Sequence, residues 1–163
     1  MTDLATLELG TSTVVLRQAE VGDIPAIVDL LSADQLGVTR DGVHTAQDLA
    51  AYQRAFRAID ADLAHLLVVA QAGRQLVATM QLSFIPGLAR RGALRAQIEA
   101  VRVHESCRGR GLGAAMMGWA VGEARRRGCV LVQLTTDKSR LDAHRFYRQL
   151  GFVASHEGMK LRL

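Results

Sequence analysis

Seven residues constrain this chain more than any others. Arg108-Gly109-Arg110-Gly111-Leu112-Gly113-Ala114 places three alternating glycines between an apolar, strand-like run and a helix-like one. Glycine carries no Cβ, so successive backbone N–H groups can converge on one point. A helix that starts there adds N–H donors with no intrahelical partner and the positive end of its dipole. The result is an anion site, to which Arg108 and Arg110 can add charge-assisted hydrogen bonds. Strand, glycines, arginines and helix in this order describe a grip for the diphosphate of a nucleotide-type cofactor rather than an ordinary glycine-rich connector.

Two cofactor classes fit the turn alone. Gly109-x-Gly111-x-x-Ala114 matches the loose dinucleotide fingerprint, with Asp137 roughly 20 residues further on. A Walker A loop is excluded, because no Gly-Lys-Ser/Thr follows. The surrounding elements speak against a dinucleotide. Thr13 to Arg17 is a short β-branched strand. Asp23 can cap a helix with Ile24, Ile27, Val28 and Leu31 on one face. Leu36 to His44 is a loop, and Thr45 caps a second helix bearing Leu49, Tyr52, Phe56 and Ile59. Leu66 to Ala70 and Leu76 to Phe84 flank the turn Ala72-Gly73-Arg74 as a hairpin. Pro86 to Gly92 is a loop, and Ala96 to Val103 is a strand, apolar apart from Glu99 and Arg102.

After the glycine turn comes a helix with Leu112, Ala115, Met116, Trp119, Ala120 and Ala124 on one stripe. Arg125, Arg126 and Arg127 suit its C-terminal dipole, and Gly128 stops it. Val130 to Thr135 is an apolar strand, parallel to Ala96–Val103 through the crossover helix. Asp142 can cap a last helix through Leu150, and Phe152–Ala154 with Met159–Leu163 form a closing hairpin. The order β-α-α-β-β-β-α-β-α-β-β is a mixed α/β sheet with helices on both faces. The hairpin upstream of the turn is foreign to a doubly wound fold, and only one crossover follows the turn.

Composition narrows the setting. Hydrophobic residues make up 49% and charged residues 22%, which fits a globular domain and not disorder. With 163 residues, one domain spanning 1–163 is expected. No apolar run of about 18 residues is present, so no membrane is expected. Two cysteines, Cys107 and Cys129, make no disulfide framework, and a reducing, cytoplasmic setting follows. The net charge of +4 is almost all arginine, a residue whose planar fork suits phosphate. Arg90, Arg91 and Arg95 form a basic cluster. Aromatics are only 4%, though, and no recognition motif accompanies the cluster, so nucleic acid is not expected as a partner. His44, His65, His104, His144 and His156 lack metal-ligand spacing, and no metal is expected.

Arg108-x-x-Gly111-x-Gly113-Ala114 resembles the cofactor signature of the GNAT superfamily of acetyl-CoA-dependent N-acetyltransferases. Ile98-Glu99-Ala100-Val101-Arg102-Val103 is similar to the strand that precedes it there. Asp142-Ala143-His144-Arg145-Phe146-Tyr147-Arg148-Gln149-Leu150-Gly151-Phe152 is similar to the family's late helix with its Tyr…Gly-Phe ending. The resemblance implies a central mixed, mostly antiparallel sheet in which one parallel pair, Ile98–Val103 and Val130–Thr135, splays to admit acetyl-CoA. It implies that backbone groups of Val101, Arg102 and Val103 hold the pantetheine arm, and that Arg108, Gly109, Arg110, Gly111, Leu112, Gly113 and Ala114 hold the diphosphate. Arg140 stands where many members carry Asn, and so could face a phosphate or an acidic substrate group. Homodimers are compatible with the resemblance, although no seam is readable.

Acetyl transfer needs a neutral amine, a stabilised oxyanion and a protonated leaving thiolate. Alkyl amines ionise near pH 10, so a base must take a proton. Glu99 is the candidate, in a strand whose apolar company predicts burial and so a preference for the neutral form. A structural ion pair with Arg102 or Arg95 is the alternative. Tyr147 is the candidate acid, since a phenol keeps its proton up to about pH 10; a core tyrosine beside Phe146 is the alternative. The N–H of Val101 is the expected oxyanion donor. Cys107, beside the anion site, has no His partner placed by sequence and is a bystander thiol. The resemblance makes Leu36–His44 and Phe84–Gly92 the walls of the acceptor side. Asp34, Asp41 and Asp48 would draw a cationic amine there, and Arg90 and Arg91 an acidic acceptor. The acceptor is thus an amine on a small molecule or peptide, and the non-enzyme alternative is an acyl-CoA-binding regulatory module.

Overall fold

The computed structural model describes residues 2–33, 37 and 40–161. They fall into two compact units that divide between Gln133 and Leu134. The first unit is built on one sheet whose spatial order follows the chain: β1 (Asp3–Leu9), β2 (Ser12–Gln18), β3 (His65–Ala72), β4 (Gln75–Pro86), β5 (Leu94–Val103) and β6 (Leu131–Leu134). Strands β1 to β5 pair antiparallel. β6 joins β5 in parallel: Val130 N donates to Leu94 O at 2.9 Å, and Gln133 Nε2 to Gln97 Oε1 at 2.7 Å. Helices α1 (Ile24–Ser32) and α2 (Ala46–Asp60) lie between β2 and β3, and α3 (Leu112–Arg126) makes the crossover from β5 to β6. The mixed, mostly antiparallel sheet with one parallel pair agrees with the sequence.

Strand β4 runs through the middle and separates two cores. Thr79 and Gln81 face α1 and α2, beside Leu67 and Val69 of β3. Met80, Leu82 and Phe84 point the other way, where the Arg127 guanidinium at the end of α3 stacks 4.0 Å over the Phe84 ring. Met116, Met117, Ala120 and Ala124 give α3 its buried stripe. The stop at Gly128 is as expected, with φ +80° and its N–H bonded to Arg125 O.

Several local expectations are corrected. Strand β1 is not signalled by its sequence, because Leu, Ala and Glu favour helices. It exists through its ladder with β2 across the tight turn at Gly10, whose φ is +62°. The closing hairpin is absent among the described residues: Phe152–Leu161 forms no strand, and Arg162 and Leu163 lie outside them. A strand persists when its alternate side chains find a core, and Val153, Met159 and Leu161 are exposed. In the second unit, α4 (Leu141–Gln149) has Arg140, not Asp142, at its N-cap; Asp142 sits in the first turn, paired with Arg145. Within 86–92, Ala89–Gly92 is a helical turn with Arg90 and Arg91 at left-handed φ of 56° and 62°. No helix among the described residues is long and apolar enough to cross a membrane.

Helix entry is secured differently at α1 and α2. Thr45 caps α2 as expected: its Oγ1 accepts from Asp48 N at 3.2 Å, and the Asp48 carboxylate accepts from Thr45 N at 2.8 Å. Asp23 stands at the N-cap of α1 but does not cap it. Its carboxylate instead grips Arg17 of β2 through two bonds of 2.7 and 2.9 Å. Arg17 is buried, and its Nε donates to Gln71 Oε1 at 2.8 Å. This ion pair ties the start of α1 to the sheet. Burial pushes the Asp23 carboxyl up, but the hydrogen bonds from Arg17 and the Glu20 N–H, with the guanidinium charge, outweigh it and hold it below its ordinary value.

A carboxyl depressed by folding contributes stability above its unfolded pKa and loses it as pH falls through the folded value. Arg17→Ala is therefore expected to cost about 3 kcal/mol in urea denaturation at pH 7, by stranding a buried carboxylate. The cost should shrink at pH 3, where Asp23 can take a proton; an equal cost at both pH values would show that the charge pair is not what Arg17 contributes.

Candidate functional site

Strand β5 carries an irregularity at its middle. Glu99 pairs with Gln81 and Arg102 with Thr79, so Ala100 and Val101 together oppose Met80 alone. Ala100 sits at φ +53°, a left-handed conformation that strands do not use and that costs a residue with a Cβ roughly 1–2 kcal/mol. This is a β-bulge, and it removes one residue from the ladder. It also brings Glu99 and Arg102 to the same face of the sheet, the one that α1 and α2 cover, since Gln81 and Thr79 share that face. β6 ends at Leu134, so no β6 residue lies opposite Glu99–Val103.

The bulge exposes Glu99, and the burial expected from its apolar neighbours does not occur. Its side chain makes no hydrogen bond or ion pair with another described residue, so the pairing with Arg95 or Arg102 is not found either. Arg102 Nη1 donates to Val101 O at 2.9 Å, bracing the bulge from within.

The glycine turn follows at once. Glu105–Cys107 forms a single 3-10 turn, opened by His104, whose Nδ1 accepts from Ser106 N. Gly109 and Gly111 then adopt φ of +72° and +84°. A Cβ on Gly109 would meet nothing within 4 Å, so the turn needs these glycines for their backbone and not for space. Gly111 is the N-cap of α3 and no side chain caps that helix, which leaves its first N–H groups presented outward. Gly113 lies inside the first helical turn. Arg108 Nε donates to Val103 O at 3.0 Å, so this arginine ties the turn to β5 while its guanidinium remains at the surface, alongside exposed Arg110. Uncapped helix, left-handed glycines and two exposed arginines fit a diphosphate.

The second unit holds Tyr147 and Arg140. The Tyr147 ring stands edge-on to Phe146 at 5.2 Å and to Phe152 at 5.9 Å, and Tyr147 O accepts from Phe152 N. Arg140 opens α4, its N–H donating to Asp137 O, and Asp137 in turn accepts from Ser139. Of the acidic residues expected to draw an acceptor, Asp48 is committed to the capping box and Asp41 accepts from Tyr52 Oη at 3.3 Å; Asp34 lies outside the described residues.

Two cavities flank α1. One, of about 170 Å³, lies between α1, α2 and the sheet and reaches from Phe56 and Leu31 to Gln81 and Ala100. The other, of about 510 Å³, is bordered by Arg74, Asp29, His104 and the Arg17–Asp23 pair. The sequence placed Tyr52, Phe56 and Ile59 at helical spacing on one helix and did not signal a cavity beside them. Their helical spacing is the same whether the face they make is filled or hollow.

The profile of the Acetyltransferase (GNAT) family matches residues 25–152, a span that contains the bulge, the glycine turn and α4. The chain is a GNAT acetyltransferase. Over 163 residues it is 30% identical to glucosamine 6-phosphate N-acetyltransferase of Trypanosoma brucei brucei, covering 100% of both chains. It is 40% identical over 60 residues to aminoalkylphosphonate N-acetyltransferase of Salmonella typhimurium, a match that spans 37% of this chain and 39% of that enzyme. A solved structure named as a transcriptional regulator from Bacillus halodurans C-125 superposes with TM-score 0.87 at 45% identity, covering 92% of this chain and 99% of that one. The GNAT family uses acetyl-CoA, and the turn geometry of this chain fits its diphosphate.

A Cβ at Gly111 would force a side-chain-bearing residue into φ +84°. Gly111→Ala is expected to lower stability by about 1 kcal/mol and to weaken coenzyme A binding several-fold in calorimetric titration. Binding as tight as that of the native chain would mean that the left-handed turn is not part of the grip.

Proposed function

We propose that this GNAT acetyltransferase moves an acetyl group from acetyl-CoA to the primary amine of a small molecule or peptide, by direct attack in a ternary complex. The observation that carries the reading is the left-handed Ala100, which interrupts β5 between an exposed carboxylate at Glu99 and the N–H of Val101. A bulge takes a backbone N–H out of the ladder without burying it, and such a donor is free of side-chain motion when charge develops on an oxygen.

In this reading acetyl-CoA supplies the activated thioester. Backbone groups of Val101, Arg102 and Val103 hold the pantetheine arm, and residues 108–114 hold the diphosphate. Glu99 takes a proton from the acceptor ammonium, directly or through a water. The neutral nitrogen forms a bond to the thioester carbon, whose oxygen takes up negative charge against the Val101 N–H. The C–S bond then breaks, Tyr147 gives its proton to the departing sulfur, and the surplus proton on the new amide nitrogen is released to solvent as the tyrosinate is reprotonated. Arg140 faces a phosphate or an acidic group. The Trypanosoma and Salmonella relatives are both named for acceptors that carry an amine, which supports an amine here.

A second reading keeps the cofactor site and drops the chemistry: an acyl-CoA-binding regulatory module. The name of the Bacillus relative favours it, and the retention of both Glu99 and Tyr147 favours the enzyme.

Thiol release from acetyl-CoA, measured across a panel of amines, separates the two. General acid and base groups contribute about 10²- to 10⁴-fold, so Glu99→Gln and Tyr147→Phe are each expected to lower kcat by at least about 10²-fold with little change in coenzyme A affinity. Undiminished kcat in either variant removes that residue from its role. Cofactor binding without turnover on any amine favours the module.

A further inference from the structure

The cavity between α1, α2 and the sheet gives the acceptor a chemical character. Resting on the acetyl-transfer reading above, we infer that the acceptor is a primary amine with a compact apolar substituent, a branched alkyl or aryl group, that this cavity receives.

Position is the first ground. Gln81 lines the cavity and is the register partner of Glu99 on the same face of the sheet. Residues directly opposite across a ladder have Cβ atoms about 4.5–5.5 Å apart. Ala100, next to Glu99, also lines it. An amine held at the Glu99 carboxylate therefore has its substituent at the sheet end of this space.

Chemistry is the second ground. Ile24, Ile27, Val28, Phe56 and Leu67 contribute to a mainly apolar wall, and no charged side chain borders it among the described residues. Its hydroxyls are already engaged: Thr79 Oγ1 donates to Val68 O at 3.2 Å, while Tyr52 Oη lies between Asp41 and the N–H of Gly42. A phosphoryl group or a second ammonium entering it would lose water and gain no counter-charge from the described residues, at a high cost. The phosphorus-bearing acceptors for which two relatives are named are thus poor matches to this space.

Size is the third. A volume of about 170 Å³ exceeds the roughly 150 Å³ of an aliphatic cavity that takes up benzene. The substituent is accordingly of about four to six carbons, by the same comparison.

The test fixes acetyl-CoA and varies the amine: methylamine, propylamine, isopentylamine and 2-phenylethylamine against 2-aminoethylphosphonate, glucosamine 6-phosphate and spermidine. Each buried methylene is worth about fourfold, so kcat/KM should climb about fourfold per added carbon along the alkyl series and then level off. Ala55 lines the rim of the cavity yet is exposed on α2, so Ala55→Phe closes the entrance without touching the core. For the native chain 2-phenylethylamine is expected to raise Tm; in the variant it should not, and the isopentylamine-to-methylamine ratio should fall toward one. Val28→Ala should move the optimum to larger amines. Turnover that is flat along the alkyl series, or that is confined to the phosphorylated or polycationic amines, overturns the cavity assignment alone. No thiol release from any amine defeats the acetyl-transfer reading beneath it.

Discussion

Backbone pairing along β4 is the constraint on which the rest depends. This strand of 12 residues gives one edge to β3 and the other to β5, and it packs helices on both faces. Ala78, Thr79, Met80 and Leu82 are fully buried, so its backbone groups have no recourse to water and the ladder must satisfy them. That requirement places β5, and β5 places Glu99, the bulge and the start of the glycine turn. Arg108 closes the chain of dependence by bonding back to Val103. The site is therefore positioned by hydrogen bonds of the sheet interior and not by the loops around it.

The turn was legible because its signal is local. Glycines that must adopt positive φ, an uncapped helix start and flanking arginines are all encoded within seven residues. The Thr45–Asp48 box and the β3–β4 hairpin were readable for the same reason. Strand β1 was not, because its Leu-rich sequence becomes extended only when β2 offers it a ladder. The bulge was not readable either: nothing in Ala100 announces a left-handed residue, which arises from two strands of unequal count. Glu99 was then misjudged as buried, since an apolar strand predicts burial only while its alternation is unbroken. Asp23 looked like a cap, and its choice of Arg17 instead depended on a residue brought in from the neighbouring strand. The family resemblance supplied what local patterns could not, namely which strand and which helix to propose as the cofactor's neighbours.

Two relatives are named for acceptors that carry both an amine and phosphorus, whereas the hollow of this chain is apolar, and the fold has room for such a difference. In the proposed function the cofactor is held by backbone groups and glycines, which tolerate little drift. The hollow beside Ala100 is walled by side chains of α1 and α2, two helices held by a capping box and one buried ion pair. Such helices can change their inward residues one at a time without moving Glu99, because neither contributes a backbone bond to β5.

The bulge has one further effect. Before Ala100, even-numbered residues of β5 face α3; after it, Arg102 faces the opposite side with Thr79, and Val103 joins the α3 side with Ala78. The strand changes parity midway. One continuous segment thus serves two different surfaces, its first half supplying hydrophobic anchors to one layer and its second half offering a reversed phase to the other. A single inserted residue thus reverses the phase of the strand, and any deletion that restored regular alternation would turn Arg102 back toward the α3 side.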